Sequence, residues 1–497
     1  MHVNYVNNAQ SLIHQLQGRQ EVSSQGYWLS RFVRYIRGMI PFDSINFFSQ
    51  NEANADLPTP QKLGQKSQSL IRKVASAALE FLSEPKGIEI AKQLVFETLK
   101  RFDDDPDERH HLLLLKEIEI RLGKDQIEEA KRLVSCIKEV DTLDQTAEIL
   151  ADELRQVTFA SMEQKSHDLN SFIRLVQIIE NLNSPAKERA RLYRFMFEQD
   201  ANFPKCSSEP DQKAKRHHFL LRMAKSLSSL DEKEFPGLKP FEGLAMIIED
   251  LDAYLEKNPT SEMAKTAKKT LLYCRSLTLE GDMAERLSRD EKNPVYLDIY
   301  YSDLRKEIQD LQENQELLLL GGSFDHAILH SVQHSCKRFK TFNSGLGVSK
   351  HRLMGKELYQ TQIIDNLAKN QFSTDFLKSI FSAKLVDVST KSDEAKRELS
   401  NKQIEEIYLK LRQLSDKRPA RLLAVDDPVH SHRMQPHNTC LRNIYLMWLR
   451  EDVFKDEYHA FKISFSEKAL KDAEEPDLIK IGQEKLLHRQ KKVLPSS

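Results

Sequence analysis

His326 and Asn343 are two side chains whose types and positions allow acid–base chemistry together. The stretch 317–347, LLLLGGSFDHAILHSVQHSCKRFKTFNSGLG, reads as three short strands. Leucines 317–320 run into Gly321-Gly322, and a second strand spans Asp325 to Gln333. After a polar turn near His334-Ser335, a third runs from Lys337 to Phe342 and stops at Asn343-Ser344-Gly345. Glycine and asparagine at strand ends are turn chemistry. In a hairpin the start of one strand lies beside the end of the next, which makes His326 and Asn343 neighbours. An amide oxygen that accepts from one ring N–H sets the tautomer and holds the ring. The other ring nitrogen is then free to take a proton from a thiol or hydroxyl. Taken singly, His326 also reads as a core or turn histidine, and Asn343 as a turn residue. Asp325 is a poor orienter, because adjacent strand residues point to opposite faces. Asp426 and Asp427 rank below Asn343 for that role.

The segments DHAILHSV and FKTFNSGLG resemble the His and Asn strands of papain-like cysteine peptidases. Those carry a His, a small residue and an apolar run, then Asn-Ser-aromatic-Gly. This chain has Gly345 where the family has Trp. The resemblance implies a Cys at a helix N-terminus with a Gln shortly before it. Cys440 fits: Leu441, Ile444, Tyr445, Trp448 and Leu449 follow at helical spacing, and Thr439 suits an N-cap. A thiol in the first helical turn is acidified by the helix macrodipole. With His and Asn before Cys, the domain would be circularly permuted, as in the lecithin-retinol acyltransferase-like group. The resemblance spans roughly residues 317–465. It implies Cys440 as nucleophile, His326 as base and Asn343 as orienter, with Gln435 and the Cys440 N–H as oxyanion hole. The step from Gln435 to Cys440 is one residue shorter than is usual in the family. Cys336 competes as nucleophile, but it lies at the far end of the hairpin from His326.

A chain of 497 residues holds two or more domains. Its 74 basic and 75 acidic residues balance, which argues against a general nucleic-acid or acidic-membrane surface. With 30% charged residues and only 15 glycines, the composition favours helices with solvated faces. Five scattered cysteines (Cys136, Cys206, Cys274, Cys336, Cys440) form neither a disulfide framework nor a metal spacing, which points to a reducing compartment. His430, His432 and His437 do not match a structural-zinc spacing. No phosphate loop, dinucleotide fingerprint, signal peptide or membrane span is expected, and no cofactor is implied.

From Pro60 onward, apolar residues recur at helical period. Helices are expected at 67–81, 88–102, 110–122, 126–140, 142–164, 168–182, 185–198, 213–230, 240–257 and 261–279, with short connections such as Asn183-Ser184-Pro185. Successive helical hairpins predict an irregular solenoid-like array that binds a protein partner, or a compact bundle that supports the catalytic part. Asn293 to Tyr301 is β-branched and aromatic, with a charged helix after it. Residues 356–367 suit a strand then a helix, and Phe461–Phe465 a strand or helix start. The expected architecture is α+β. It comprises an N-terminal segment 1–60, a helical array 61–290, a papain-like α+β domain 315–470 and a charged tail 471–497. The expected activity is a cysteine protease or isopeptidase acting on a protein or peptide. An acyltransferase, deamidase or transglutaminase with the same triad remains open, as does an inactive interaction scaffold. Such an architecture resembles effector proteins of intracellular bacteria, and the expected location is the cytoplasm or, after export without a cleaved signal, another reducing compartment.

Overall fold

A computed structural model describes residues 60–102, 105–164, 168–200, 240–333, 337–343, 361–381, 391–417 and 440–471, with short stretches and single positions between and after them. Residues 1–59 of the N-terminal segment, the helix expected at 213–230 and residues 382–388, whose sequence suits a short strand, lie outside the described residues. So do Gln435, Asp426, Asp427 and the histidines at 430, 432 and 437. The chain is α+β, and its described residues form two compact units. One runs to Leu154 and includes Ile173–Lys187; the other holds Arg155–Phe172 and everything from Glu188.

The first unit is built from α1 (Pro60–Leu82), α2 (Ile88–Phe102), α3 (Arg109–Gly123), α4 (Ile127–Ile137), the first half of α5 (Leu143–Gln164) and most of α6 (Leu169–Asn181). Each helix forms because its apolar residues fall on one stripe. In α4 these are Ala130, Leu133, Val134 and Ile137, all buried. The turn between α3 and α4 passes through Asp125 at φ 56°, a conformation an aspartate tolerates better than most residues.

The second unit adds α7 (Ala186–Asp200), α8 (Pro240–Lys257), α9 (Glu262–Asp290) and α10 (Val295–Asp310) ahead of an antiparallel sheet. The sheet comprises β1 (Glu316–Gly322), β2 (Ala327–Gln333), β3 (Arg338–Phe342), β6 (Thr361–Asp365) and β7 (Arg421–Leu422), in the order β1-β2-β3-β6-β7. A separate two-residue ladder joins β4 (Leu353–Met354) to β5 (Glu357–Leu358). The remaining helices are α11 (Thr374–Phe381), α12 (Asp393–Ser415), α13 (Cys440–Trp448) and α14 (Tyr458–Lys471).

Strand alternation divides the sheet's two faces between two helical layers. Leu318, Leu320, Ala327, Leu329 and Phe342 share one core with α8, α9, α13 and α14. On the other face His330 and Phe339 stack with Phe372, Phe376 and Phe381, of which the last two belong to α11. The helices of residues 240–310, expected partly in the array and partly at its border, therefore belong to the same compact unit as the sheet.

Two local expectations are corrected. Val295–Tyr301 is helical, because Tyr296, Tyr300, Tyr301, Leu304 and Ile308 make one buried stripe and tertiary packing overrides their strand propensity. Residues 361–365 form a strand rather than a helix, held by β3 on one side and β7 on the other. Of the strand or helix start expected at Phe461–Phe465, the helix is found: the stretch lies inside α14, where both rings reach the core.

Candidate functional site

The register of the first hairpin puts Gly322 opposite Ala327, so the β1–β2 turn is Ser323 to His326. Ser323 N–H donates to the His326 carbonyl at 2.9 Å and closes it. Gly322 makes this turn possible: its φ is +115°, and a Cβ there would fall 2.0 Å from the His326 carbonyl oxygen. Leu329 pairs with Phe342 in the second hairpin, which brings Asn343 to the same end of the sheet as His326. The expected contact is present: His326 Nε2 and Asn343 Oδ1 are 2.8 Å apart.

The protons on this contact follow from its neighbours. Asn343 Nδ2 donates to the Leu346 carbonyl at 2.8 Å and to Tyr408 OH at 2.8 Å. A carbonyl can only accept, so the amide nitrogen must face Leu346 and its oxygen must face His326. His326 Nε2 therefore carries the hydrogen in the neutral ring, and the lone pair sits on Nδ1. Nδ1 has no hydrogen-bond partner among the described residues and is not one of the fully sealed unpaired atoms. Tyr408 OH, having accepted from Asn343, donates its own proton to His351 Nε2 at 2.6 Å. A chain His326–Asn343–Tyr408–His351 results, all of it buried.

Burial pushes the His326 pKa below its ordinary value; the Asn343 bond and the nearby Asp325 charge oppose that shift without cancelling it. Asp325 itself accepts from Ser323 Oγ at 2.9 Å and from Ser400 Oγ of α12. It thus pins the turn to α12 and acts on the imidazole only through its charge. The arrangement is a neutral imidazole at physiological pH, locked in one tautomer, with a proton-accepting nitrogen turned away from its anchor.

Cys440 is the first residue of α13, and Leu441, Ile444, Tyr445 and Trp448 are buried on the expected face. The helix then widens into a π-type turn, Leu449–Phe454. Trp448 Nε1 donates to Glu316 Oε1 at 3.1 Å, at the end of the hairpin remote from His326. Cys440 stands about 12 Å from that end along the helix axis. α13 covers the face of Ala327, Leu329 and Phe342, whereas Asn343 is tied to α12 on the opposite layer. Gln435, Thr439 and Cys336 lie outside the described residues. Cys274 is a thiol deep in the core and in no disulfide, and Cys136 is a half-buried one whose pKa burial pushes up.

Sequence reasoning missed Tyr408 and His351. The available signal was Asn343 itself: a buried amide needs acceptors for its two N–H groups as well as a donor for its oxygen. Among the described residues, the His and acidic side chains close enough to share a metal ion are elsewhere, in the first unit: Glu108, His110 and His111. No helix among the described residues is long and apolar enough to cross a membrane. Comparison of the chain with protein-family models, curated proteins and solved structures returned no match.

Proposed function

We propose that this chain is a cysteine-nucleophile hydrolase acting on peptide or isopeptide bonds of proteins. The observation that carries the reading is the 2.8 Å contact of His326 Nε2 with an Asn343 amide oriented from behind by the Leu346 carbonyl. It leaves Nδ1 as the base. In the proposed reaction His326 Nδ1 takes the Cys440 thiol proton, and the thiolate attacks the scissile carbonyl. The imidazolium then protonates the leaving amine, leaving a thioester. A water molecule, deprotonated by the same nitrogen, hydrolyses the thioester and restores the thiol. Asn343 holds the ring throughout. Gln435 and the Cys440 N–H would stabilise the oxyanion. The helices of the first unit would engage the protein substrate. A transferase or deamidase would use the same groups with a different acceptor.

A second reading has its own observation. Asn343 is anchored in the layer opposite the one α13 joins, and the whole His–Asn–Tyr–His chain is buried. That favours a structural polar network in an inactive interaction scaffold. Alkylation by iodoacetamide at neutral pH separates the two. The enzyme reading expects Cys440 to react faster than Cys136 or a free cysteine, and the advantage to disappear in His326→Ala. Labelling of Cys440 at the rate of an ordinary thiol, unchanged in His326→Ala, leaves the scaffold.

A further inference from the structure

Glu108, His110 and His111 converge at the start of α3, and the convergence is built by backbone geometry. Asp105 caps a short 3-10 turn, Pro106–Glu108, by accepting from Asp107 N–H, and α3 begins at once with Arg109. The two histidine rings lie close together, their centroids 4.0 Å apart and their planes tilted by 39°. One ligand atom from each of the three residues lies within 4.8 Å of the others. Glu108 and His111 are fully buried and His110 is 6% exposed.

The hydrogen bonding of this cluster is incomplete in a specific way. His111 Nε2 is 3.1 Å from the Val140 carbonyl, which can only accept, so Nε2 carries a hydrogen. Its Nδ1 faces Glu108 Oε2 at 2.8 Å. The second carboxylate oxygen, Glu108 Oε1, and the ring nitrogen His110 Nε2 are sealed from solvent and have no hydrogen-bond partner. Buried polar atoms are rarely left this way, because an unmade hydrogen bond in the interior costs the full desolvation of the group. Here two such atoms sit within one cluster. The His111 ring is oriented by the Val140 carbonyl on one nitrogen and by the Glu108 carboxylate on the other, and an ion would replace that second contact.

The geometry points to a binding site for a divalent first-row transition ion, with Glu108, His110 and His111 as its protein ligands. Two imidazoles and one carboxylate form a mixed nitrogen–oxygen set, which suits Zn2+ and its neighbours better than the all-oxygen cations Ca2+ and Mg2+. The two atoms without a partner, Glu108 Oε1 and His110 Nε2, are of the types such an ion takes. An ion there would also tie the start of α3 to the 3-10 turn before it. All three ligands lie in the first unit and none belongs to the site containing His326, so the inference stands apart from the proposed hydrolase.

The test uses the full-length chain stripped with a chelator, exposed to Zn2+ and passed over a desalting column. One retained Zn2+ per chain is expected, with a rise in the thermal midpoint. In Glu108→Gln and His110→Gln the affinity should fall by at least about tenfold and the midpoint should no longer respond. A wild-type chain that retains no stoichiometric Zn2+ overturns the proposal. So does Zn2+ retention that survives His110→Gln and is lost when His430, His432 and His437 are replaced together. Should a variant fail to fold, the X-ray absorption spectrum of the Zn2+-loaded wild type decides. Two imidazoles with a carboxylate support the site; sulfur ligation or an all-oxygen shell refutes it.

Discussion

At the scale of single residues, Asn343 does two jobs, and substitutions separate them. Its oxygen accepts from His326, and its nitrogen donates to Leu346 and Tyr408. Asn343→Ala removes both, so turnover should fall but remain above that of His326→Ala, which loses the base itself. The ring also loses the bond that opposes its lowered pKa, so the acid limb of kcat/KM should move to lower pH. Asn343→Asp keeps an acceptor and adds a negative charge, so the same limb should move to higher pH. Aspartate cannot donate to the Leu346 carbonyl, and a carboxylate held against that carbonyl should cost about 1–3 kcal/mol in a denaturant titration. Equal pH profiles for all three proteins would reduce Asn343 to a turn residue. Stability carries a matching signature with a definite sign. The folded-state pKa of His326 lies below the unfolded value of 6.5, so the neutral ring's contribution is complete above that pH. It is lost progressively as pH falls from 6.5 towards the folded value, because the unfolded chain takes up the proton first.

At the scale of elements, α9 is the helix that commits the chain to its packing. It buries residues over most of its length, from Ala264 to Leu287, and one stretch lies against α10 while another lies under β1. Gly281 sits where α9 meets α10. A Cβ there would come within 2.9 Å of Tyr300 Cζ, in a ring that is itself buried. Inside an exposed helix, Gly→Ala would stabilise by about 0.8–1 kcal/mol. Here the contact should reverse the sign, and Gly281→Ala should lower the thermal midpoint, the overpacking costing about 1–3 kcal/mol. A raised midpoint would show that Tyr300 moves aside freely. The same region holds Arg155, bonded to Glu280 and Glu307, with Tyr193 donating to Glu280 and Asp303. Burial works against the arginine's charge, but Glu280 and Glu307 beside it outweigh that penalty and keep it charged, which explains how acids tolerate this depth.

At the scale of the whole molecule, the sheet is a shared wall. Leu318 and Leu320 face helices that precede the sheet in sequence, Ala327, Leu329 and Phe342 face α13 behind it, and the two sets meet in one core. A fragment beginning at residue 315 would lose α8 and α9 and expose that face. Expressed alone it should bind a hydrophobic dye and melt without a cooperative transition, whereas the full chain should melt cooperatively. A soluble, cooperatively folding fragment would mean that α13 and α14 suffice to cover the sheet.

Local pattern determined much of this protein. The helices at 88–102 and 240–257 follow apolar period to the residue, and the hairpins of 316–342 follow from Gly and Asn at the strand ends. Because a hairpin register is a local property, the meeting of His326 and Asn343 was legible too. The helix beginning at Cys440 was legible from its apolar stripe. Other features depend on which distant residues are buried together, and no local window contains that. Tyr408 and His351 join the site only because α12 folds over the end of β3. Val295–Tyr301 is helical because its rings find a core across from α9. Glu108-Arg109-His110-His111, in a charged run, looks solvated until packing around it strips the water away. The layer on which α13 lies, relative to the anchor of Asn343, is likewise a tertiary outcome: a helix of that sequence could cover either face of a sheet whose two faces are both apolar.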